Sequence, residues 1–183
     1  VPPLAKDRVI TILGLGTLGT ACGIALKRLG FNVRGWSRRE KRVDGILCFY
    51  GDEQIDSSLM DADIVVLLLP DTPLTQNILN QHTLNLLKRG AFVLNPGRGP
   101  LIDDDALLAA LETGQIEHAT LDVFRIEPLP KNHQYWSNNK VTVIPHKASE
   151  TRPITASQVI AMNIKRAENG QKLLYLVDRE NGY

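Results

Sequence analysis

Only two cysteines occur in 183 residues, Cys22 and Cys48, and they form no C-x-x-C or metal-ligand spacing. That excludes a disulfide-rich scaffold and a cysteine-based metal site, and it fits a reducing, cytoplasmic setting. Neither charge sign is in excess: 21 Lys and Arg stand against 20 Asp and Glu. No basic surplus points to nucleic acid, and no acidic tract points to a solvating tail. No apolar run is long enough to cross a membrane, the longest being Ile64 to Pro70. A charged stretch followed by an apolar one is missing from the start, so no secretory signal is read there. Aromatics are scarce at 5%, yet apolar residues reach 43%, which supports a packed core and excludes disorder. The length suits one domain of ordinary size and is too short for two. The chain also opens on Val1-Pro2-Pro3 with no Met, as the back portion of a longer protein would.

What is present is an alternation of strand and helix. Arg8–Leu13 is a short β-branched run that ends in glycines, the mark of a buried strand. Residues 17–29 place Leu18, Cys22, Ala25, Leu26 and Leu29 at helical spacing and close on Gly30. Further strands are expected at Phe31–Trp36, 46–50, Asp63–Leu69, Ala91–Asn95, His118–Phe124 and Val141–Ile144. Helices are expected to end near Leu59–Met60 and to span 81–88, 104–113 and about 154–169. Asp103 or Asp104 would cap the fourth, and Gly114 would end it. Strands separated by helices imply right-handed crossovers, hence an α/β fold: a doubly wound parallel sheet with helices on both faces. Ligands of such sheets sit at the carboxyl ends of the strands, so the informative residues should follow each strand.

After the first strand comes Gly14-Leu15-Gly16-Thr17-Leu18-Gly19, a G-x-G-x-x-G pattern between a strand and a helix. In that context it reads as the Rossmann dinucleotide fingerprint. Gly14 makes the tight turn, Gly16 lets a pyrophosphate approach the backbone, and Gly19 allows the helix close to the strand. An NAD site usually carries an acid at the end of the second strand. Here that position is Ser37, followed by Arg38 and Arg39, with Lys41 and Arg42 extending the basic run. Serine and guanidinium groups would hold a 2′-phosphate that a carboxylate would repel, so the expected cofactor is NADP(H).

Later strands end in Pro96-Gly97-Arg98-Gly99, in Asp122 to Glu127-Pro128, and in Pro145-His146-Lys147-Ala148. Taken singly, Arg98, Glu127 and His146 are a surface arginine, a loop glutamate and a strand-end histidine. Together on one sheet edge they supply an anion clamp, a proton donor and its orienting carboxylate. Hydride transfer to a carbonyl needs that set, because negative charge develops on the oxygen.

These pieces resemble the D-isomer-specific 2-hydroxyacid dehydrogenases. The matching segments are the glycine loop, Leu69-Pro70-Asp71-Thr72 with Thr75, Asn95-x-x-Arg98-Gly99, Leu121-Asp122, Glu127-Pro128 and Pro145-His146-x-Ala148. Trp36-Ser37-Arg38, Thr151-Arg152-Pro153 and the terminal Val177-Asp178-Arg179-x-x-Gly182-Tyr183 are similar to the NADPH-linked glyoxylate/hydroxypyruvate reductase subgroup. The resemblance implies that Arg98 grips a short 2-oxo acid and that His146 is the general acid. Glu127 would hold its other ring nitrogen and favour the charged ring. Arg152 is a further carboxylate contact. Asp122 and the Asn95 loop with Pro96 would face the nicotinamide, Pro70 and Thr72 would line the adenosine side, and Thr17, Leu18, Trp36, Leu69, Thr75 and His146 are further expected cofactor contacts. Gly97 stands where the family more often has Ala, which predicts a looser loop around Arg98.

The resemblance also implies boundaries: residues 1–146 as the nucleotide-binding domain, and 147–183 as a helix and tail that return to a substrate domain whose N-terminal part is absent. Such a piece would bind NADP(H) but turn over poorly, because closure of the second wall assembles the site. A homodimer through the nucleotide domain is implied as well. Two other readings remain open at this point: a dinucleotide-sensing corepressor of the same fold, and an NAD-linked dehydrogenase.

Overall fold

The computed structural model describes residues 3–178. Arg179, Gly182 and Tyr183 of the terminal motif, and Val1 and Pro2 at the start, lie outside the described residues. The chain divides into two compact units after His146.

The first unit is a seven-stranded sheet in the order β3-β2-β1-β4-β5-β6-β7, every neighbouring pair parallel. The strands are β1 (Val9–Leu13), β2 (Asn32–Ser37), β3 (Leu47–Tyr50), β4 (Ile64–Leu67), β5 (Ala91–Asn95), β6 (Ile116–Leu121) and β7 (Val141–Val143). The helices are α1 (Thr17–Arg28), α2 (Ile55–Leu59), α3 (Gln81–Leu86) and α4 (Asp104–Thr113). The order runs one way from β1 to β3 and the other way from β4 to β7. Right-handed crossovers therefore place helices on both faces.

Alternation along β1 divides the core. Ile10 and Ile12 join Val33, Ile46 and Val66 on the α1 face. Leu13 joins Leu67, Val93, Leu107 and Leu111 on the other. Asp103 caps α4 by accepting from the Ala106 N–H at 3.1 Å, and Gly114 closes the helix in the left-handed conformation.

Several expected boundaries move. The sixth strand starts and ends earlier than His118–Phe124: fully buried Ile116 begins it, and buried Val123 and Phe124 continue the apolar run into the loop beyond. β4 stops at Leu67, because the chain turns there against the glycine loop. α3 ends at Leu86, since Leu87 is extended. The largest change concerns α1. Leu18 and Leu29 are 63% and 68% exposed, and the buried residues of the helix are Gly19 and Gly23. Where the helix comes closest to the sheet it carries Gly19 and Gly23, while Cys22 and Leu26, as expected, pack half-buried on the same core.

The second unit holds α5 (Pro153–Glu168). Pro153 sits at its first turn, where a missing N–H costs nothing. Asn163 ties the helix to the following segment, donating to the Leu174 carbonyl at 3.1 Å and accepting its N–H at 2.8 Å. Ile154, Ile160, Met162 and Ile164 are exposed, and no residue of α5 is buried. Among the described residues, no helix is long and apolar enough to cross a membrane.

Candidate active site

The strand ends converge as a parallel sheet requires. Gly14 follows β1, Ser37 ends β2, Leu69 and Pro70 lie just beyond β4, Asn95 ends β5, Asp122 follows β6 and His146 lies just beyond β7.

The glycine loop is shaped by close approach. Gly14 has φ of +111°, and a Cβ there would lie 2.5 Å from the Leu68 carbonyl oxygen. A Cβ on Gly19 would lie 1.8 Å from the Gly14 oxygen. Gly16 differs: nothing lies within 4 Å of its Cβ position, and it is the N-cap of α1 with no side-chain cap. The N–H groups of the first turn, which includes Thr17 and Leu18, therefore meet an open space at the positive end of the helix dipole. Such an open helix N-terminus can accept an anion such as a pyrophosphate.

At the end of β2, buried Trp36 donates its Nε1–H to the Gly51 carbonyl at 2.9 Å. Ser37 is also buried, and its hydroxyl donates to the Arg39 carbonyl at 2.8 Å. Ser37 thus shapes the turn that carries Arg38 and Arg39. Lys41 is more than an extension of a solvated basic run: its Nζ donates to the Leu15 carbonyl. It joins the basic loop to the glycine loop, a contact between residues 26 positions apart that charge patterning alone cannot show. Beyond β4, the Thr75 hydroxyl donates to the Pro70 carbonyl at 2.7 Å and accepts the Thr72 N–H at 2.9 Å.

Asn95 is almost wholly buried. Its Nδ2 donates to the Arg98 carbonyl at 2.9 Å, and its Oδ1 accepts the Gly97 N–H at 3.1 Å. The Pro96–Arg98 loop is therefore braced from within, and the expectation of looseness at Gly97 fails. A Cβ on Gly97 would lie 2.8 Å from the Leu67 carbonyl oxygen, so glycine here serves tight packing. Gly99 packs against the next loop: a Cβ there would lie 2.0 Å from the Phe124 carbonyl carbon.

That contact draws the three candidate groups together. Glu127 Oε1 accepts the Phe124 N–H at 2.9 Å, and Oε2 meets His146 Nδ1 at 2.8 Å. Burial pushes the Glu127 carboxyl up. The His146 and Phe124 hydrogen bonds and the charges of His146 and Arg98 outweigh it, and hold Glu127 below the ordinary value. His146 has a left-handed backbone, φ +52°, held by its N–H donating to the Asp122 carbonyl at 2.8 Å and the Ile144 carbonyl at 3.0 Å. Such a conformation costs on the order of 1 kcal/mol outside glycine, and it aims the ring at Glu127. Asp122 is buried in the same turn, its N–H donating to the Asn95 carbonyl at 3.1 Å. Arg98 is exposed, and its Nη1 donates to the Gly97 carbonyl at 2.6 Å. Arg152 is in the second unit, where it is the N-cap of α5. No cluster of metal-ligating side chains occurs among the described residues.

A parallel sheet of this order, with a glycine turn feeding a helix N-terminus, defines a dinucleotide-binding domain. More particularly, the chain belongs to the D-isomer specific 2-hydroxyacid dehydrogenase family, whose NAD binding domain matches residues 3–148. It is 45% identical over 182 residues to the glyoxylate/hydroxypyruvate reductase A of Serratia proteamaculans, covering 100% of this chain and 58% of that relative. The chain thus spans little more than half the length of that curated relative. A D-isomer specific 2-hydroxyacid dehydrogenase from Xanthobacter autotrophicus Py2, solved in complex with NADPH and MES, is 45% identical with a TM-score of 0.97, covering 100% of this chain and 76% of the other. The NADPH-dependent glyoxylate/hydroxypyruvate reductase of Sinorhizobium meliloti, in complex with NADP and sulfate, is 32% identical with a TM-score of 0.96, covering 100% and 59%.

Proposed function

We propose that this chain is the NADP(H)-binding part of a reductase that converts short 2-oxo acids, such as glyoxylate or hydroxypyruvate, to D-2-hydroxy acids. The observation that carries the reading is the 2.8 Å His146–Glu127 pair on the sheet edge that also carries the glycine turn. Bound NADPH would supply the hydride. Arg98 grips the substrate carboxylate and polarises the carbonyl oxygen. His146, held at Nδ1 by Glu127, gives its proton to that oxygen from Nε2 and takes it back in the reverse direction. The Glu127 carboxylate orients the ring and balances its charge.

The open space at Gly16 fits the pyrophosphate. Ser37 in the acid position, with Arg38 and Arg39 beside it, favours a 2′-phosphate over a bare ribose. The Xanthobacter and Sinorhizobium relatives, crystallised with NADPH and NADP, support the same choice. The related reductases favour an enzyme over a corepressor, and the basic loop disfavours an NAD-linked dehydrogenase.

Residues 1–146 act as the nucleotide domain in this reading. Residues 147–183 belong with a substrate domain, with Arg152 as a second carboxylate contact. The exposed isoleucines of α5 suit a helix that packs against such a domain. A homodimer through the nucleotide domain and a cytoplasmic setting complete the proposal, and free Cys22 and Cys48 suit the latter.

Titration of this chain with NADPH and NADH tests the cofactor, and a panel of 2-oxo acids, given to a longer protein that also carries the substrate domain, tests the substrate class. NADPH is expected to bind at least about tenfold more tightly, the worth of one charge-assisted hydrogen bond. Equal binding, or a preference for NADH, contradicts the assignment.

A further inference from the structure

Behind the loop that carries Glu127 lies a polar cluster with no part in the chemistry above. Tyr135 is buried and donates its hydroxyl to Asp104 Oδ1 at 2.9 Å. Asp104 Oδ2 stands 3.8 Å from Arg125 Nε and 3.9 Å from His133 Nε2. The His133 ring packs on Tyr135 at 4.5 Å. Burial pushes the Asp104 carboxyl up, neighbouring Asp103 adds to this, and the Tyr135 hydrogen bond and the charges of Arg125 and His133 oppose it. Arg125 does more than pair with Asp104. Its Nε donates to the Ile102 carbonyl at 3.1 Å, and its Nη2 donates to the same carbonyl, to Asn77 Oδ1 and, at 3.4 Å, to the Pro100 carbonyl.

Those carbonyls belong to the segment that leaves Arg98, whereas Arg125 itself is two residues before Glu127. The guanidinium therefore crosses from one catalytic loop to the other. It does so where their backbones already touch, at Gly99 and Phe124–Arg125. Phe124, whose N–H holds Glu127 Oε1, also packs on Tyr135, with ring centroids 6.5 Å apart.

We infer that Arg125 is a positioning residue: its fork fixes the loop of Glu127 against the segment of Arg98, and Asp104, braced by Tyr135, holds the fork in place. The planar guanidinium is needed because it serves several carbonyls at once, which the single ammonium of lysine does not. Arg125 and Asp104 are both partly exposed, so their ion pair adds little to global stability. Its work is local geometry. The inference rests on the reading of Arg98, Glu127 and His146 as the reacting set.

The test follows the Glu127 carboxyl by carbon-detected NMR titration in the 183-residue chain, in the original protein and in Arg125→Met, Arg125→Lys and Asp104→Asn. Arg125→Met is expected to raise the Glu127 midpoint by about half a pH unit or more, as the His146 and Phe124 hydrogen bonds slacken. Arg125→Lys is expected to stay with the Met variant, and Asp104→Asn to raise the midpoint by a smaller amount. Amide signals of β1, β4 and α1 should not move. A Glu127 midpoint unchanged in Arg125→Met overturns the inference. So does full restoration by lysine, which would make the effect one of charge alone. If Arg125→Met does not fold, Asp104→Asn decides by the same readout. NADPH titration of the original protein runs alongside: failure to bind NADPH defeats the proposed function, while the Glu127 shift still judges the positioning.

Discussion

Nδ1 of His146 lies 2.8 Å from Oε2 of Glu127, and the other oxygen of the same carboxylate holds the Phe124 N–H at 2.9 Å. The carboxylate is thus fixed at both oxygens before it meets the ring, and the ring is fixed by a left-handed backbone. This arrangement makes Nδ1 the nitrogen held by the carboxylate, so that in the proposed reaction Nε2 is the one that would exchange the proton.

Glu127→Gln separates charge from shape. The amide oxygen can still accept from Phe124, but the imidazolium loses its counter-charge. Turnover of a 2-oxo acid, measured in a longer protein that also carries the substrate domain, should fall at least about tenfold, while NADPH affinity, measured by titration, stays as it was. Because the Glu127 carboxyl is held below the ordinary value of about 4.3, its charge persists as pH falls through that value. Activity unchanged by the substitution would remove Glu127 from the mechanism.

The glycine loop contains two kinds of glycine, and alanine tells them apart. At Gly19 an added Cβ meets backbone at 1.8 Å, so Gly19→Ala should cost about 2 kcal/mol or more in urea unfolding. Gly16 opens on empty space, so Gly16→Ala should keep stability within about 1 kcal/mol yet lose NADPH affinity by at least about tenfold. Equal stability losses at both positions would contradict the division.

Cofactor choice should follow the end of β2. Ser37→Asp combined with Arg38→Ala places a carboxylate against the 2′-phosphate and removes a guanidinium. The ratio of NADPH to NADH affinity should fall at least about tenfold. A preference that stays with NADPH would move the phosphate contact elsewhere in the basic loop, with Lys41 as the next group to change.

Asp63 should make folding sensitive to acid. Its carboxylate accepts the Val9 N–H at 2.8 Å and the Lys88 ammonium at 2.7 Å, and it is largely buried at the start of β4. Burial pushes the group up, but the Lys88 and Val9 hydrogen bonds and the charges of Lys88 and Arg8 outweigh this and lower it. A group lowered on folding stabilises the native state above its unfolded value, about 3.9, and that contribution disappears as pH falls through the folded value. Asp63→Asn should therefore cost about 1 kcal/mol at pH 7, and the gap should close below pH 4. A gap of constant size across that range would mean the effect is not one of ionisation.

Much of this molecule is legible along the chain. β5 and α4 fall where a short apolar run and the caps Asp103 and Gly114 place them, because short-range sterics and capping act within a few residues. The parallel order follows from the alternation of strand and helix. The glycine loop, Ser37 and the three charged groups are each visible as residues after strands. Misreadings occur where burial is decided by a distant element. Leu18 and Leu29 have helical spacing but face outward, while Cys22 and Leu26 pack half-buried on the sheet beside the closely approaching Gly19 and Gly23. Gly97 looks permissive in sequence and is tightly packed, because Leu67, from another strand, closes on it.

By itself, the sequence determined the fold class, the glycine loop and the kinds of side chain that follow the strands, since these depend on local periodicity and on residue chemistry. Only the tertiary structure decided that Arg125 links the loop of Glu127 to the segment after Arg98, that Lys41 reaches the glycine loop and that Glu127 is gripped at both oxygens. Those contacts join residues far apart in the chain, and their distances are set by how the strands stack side by side, which no local pattern encodes.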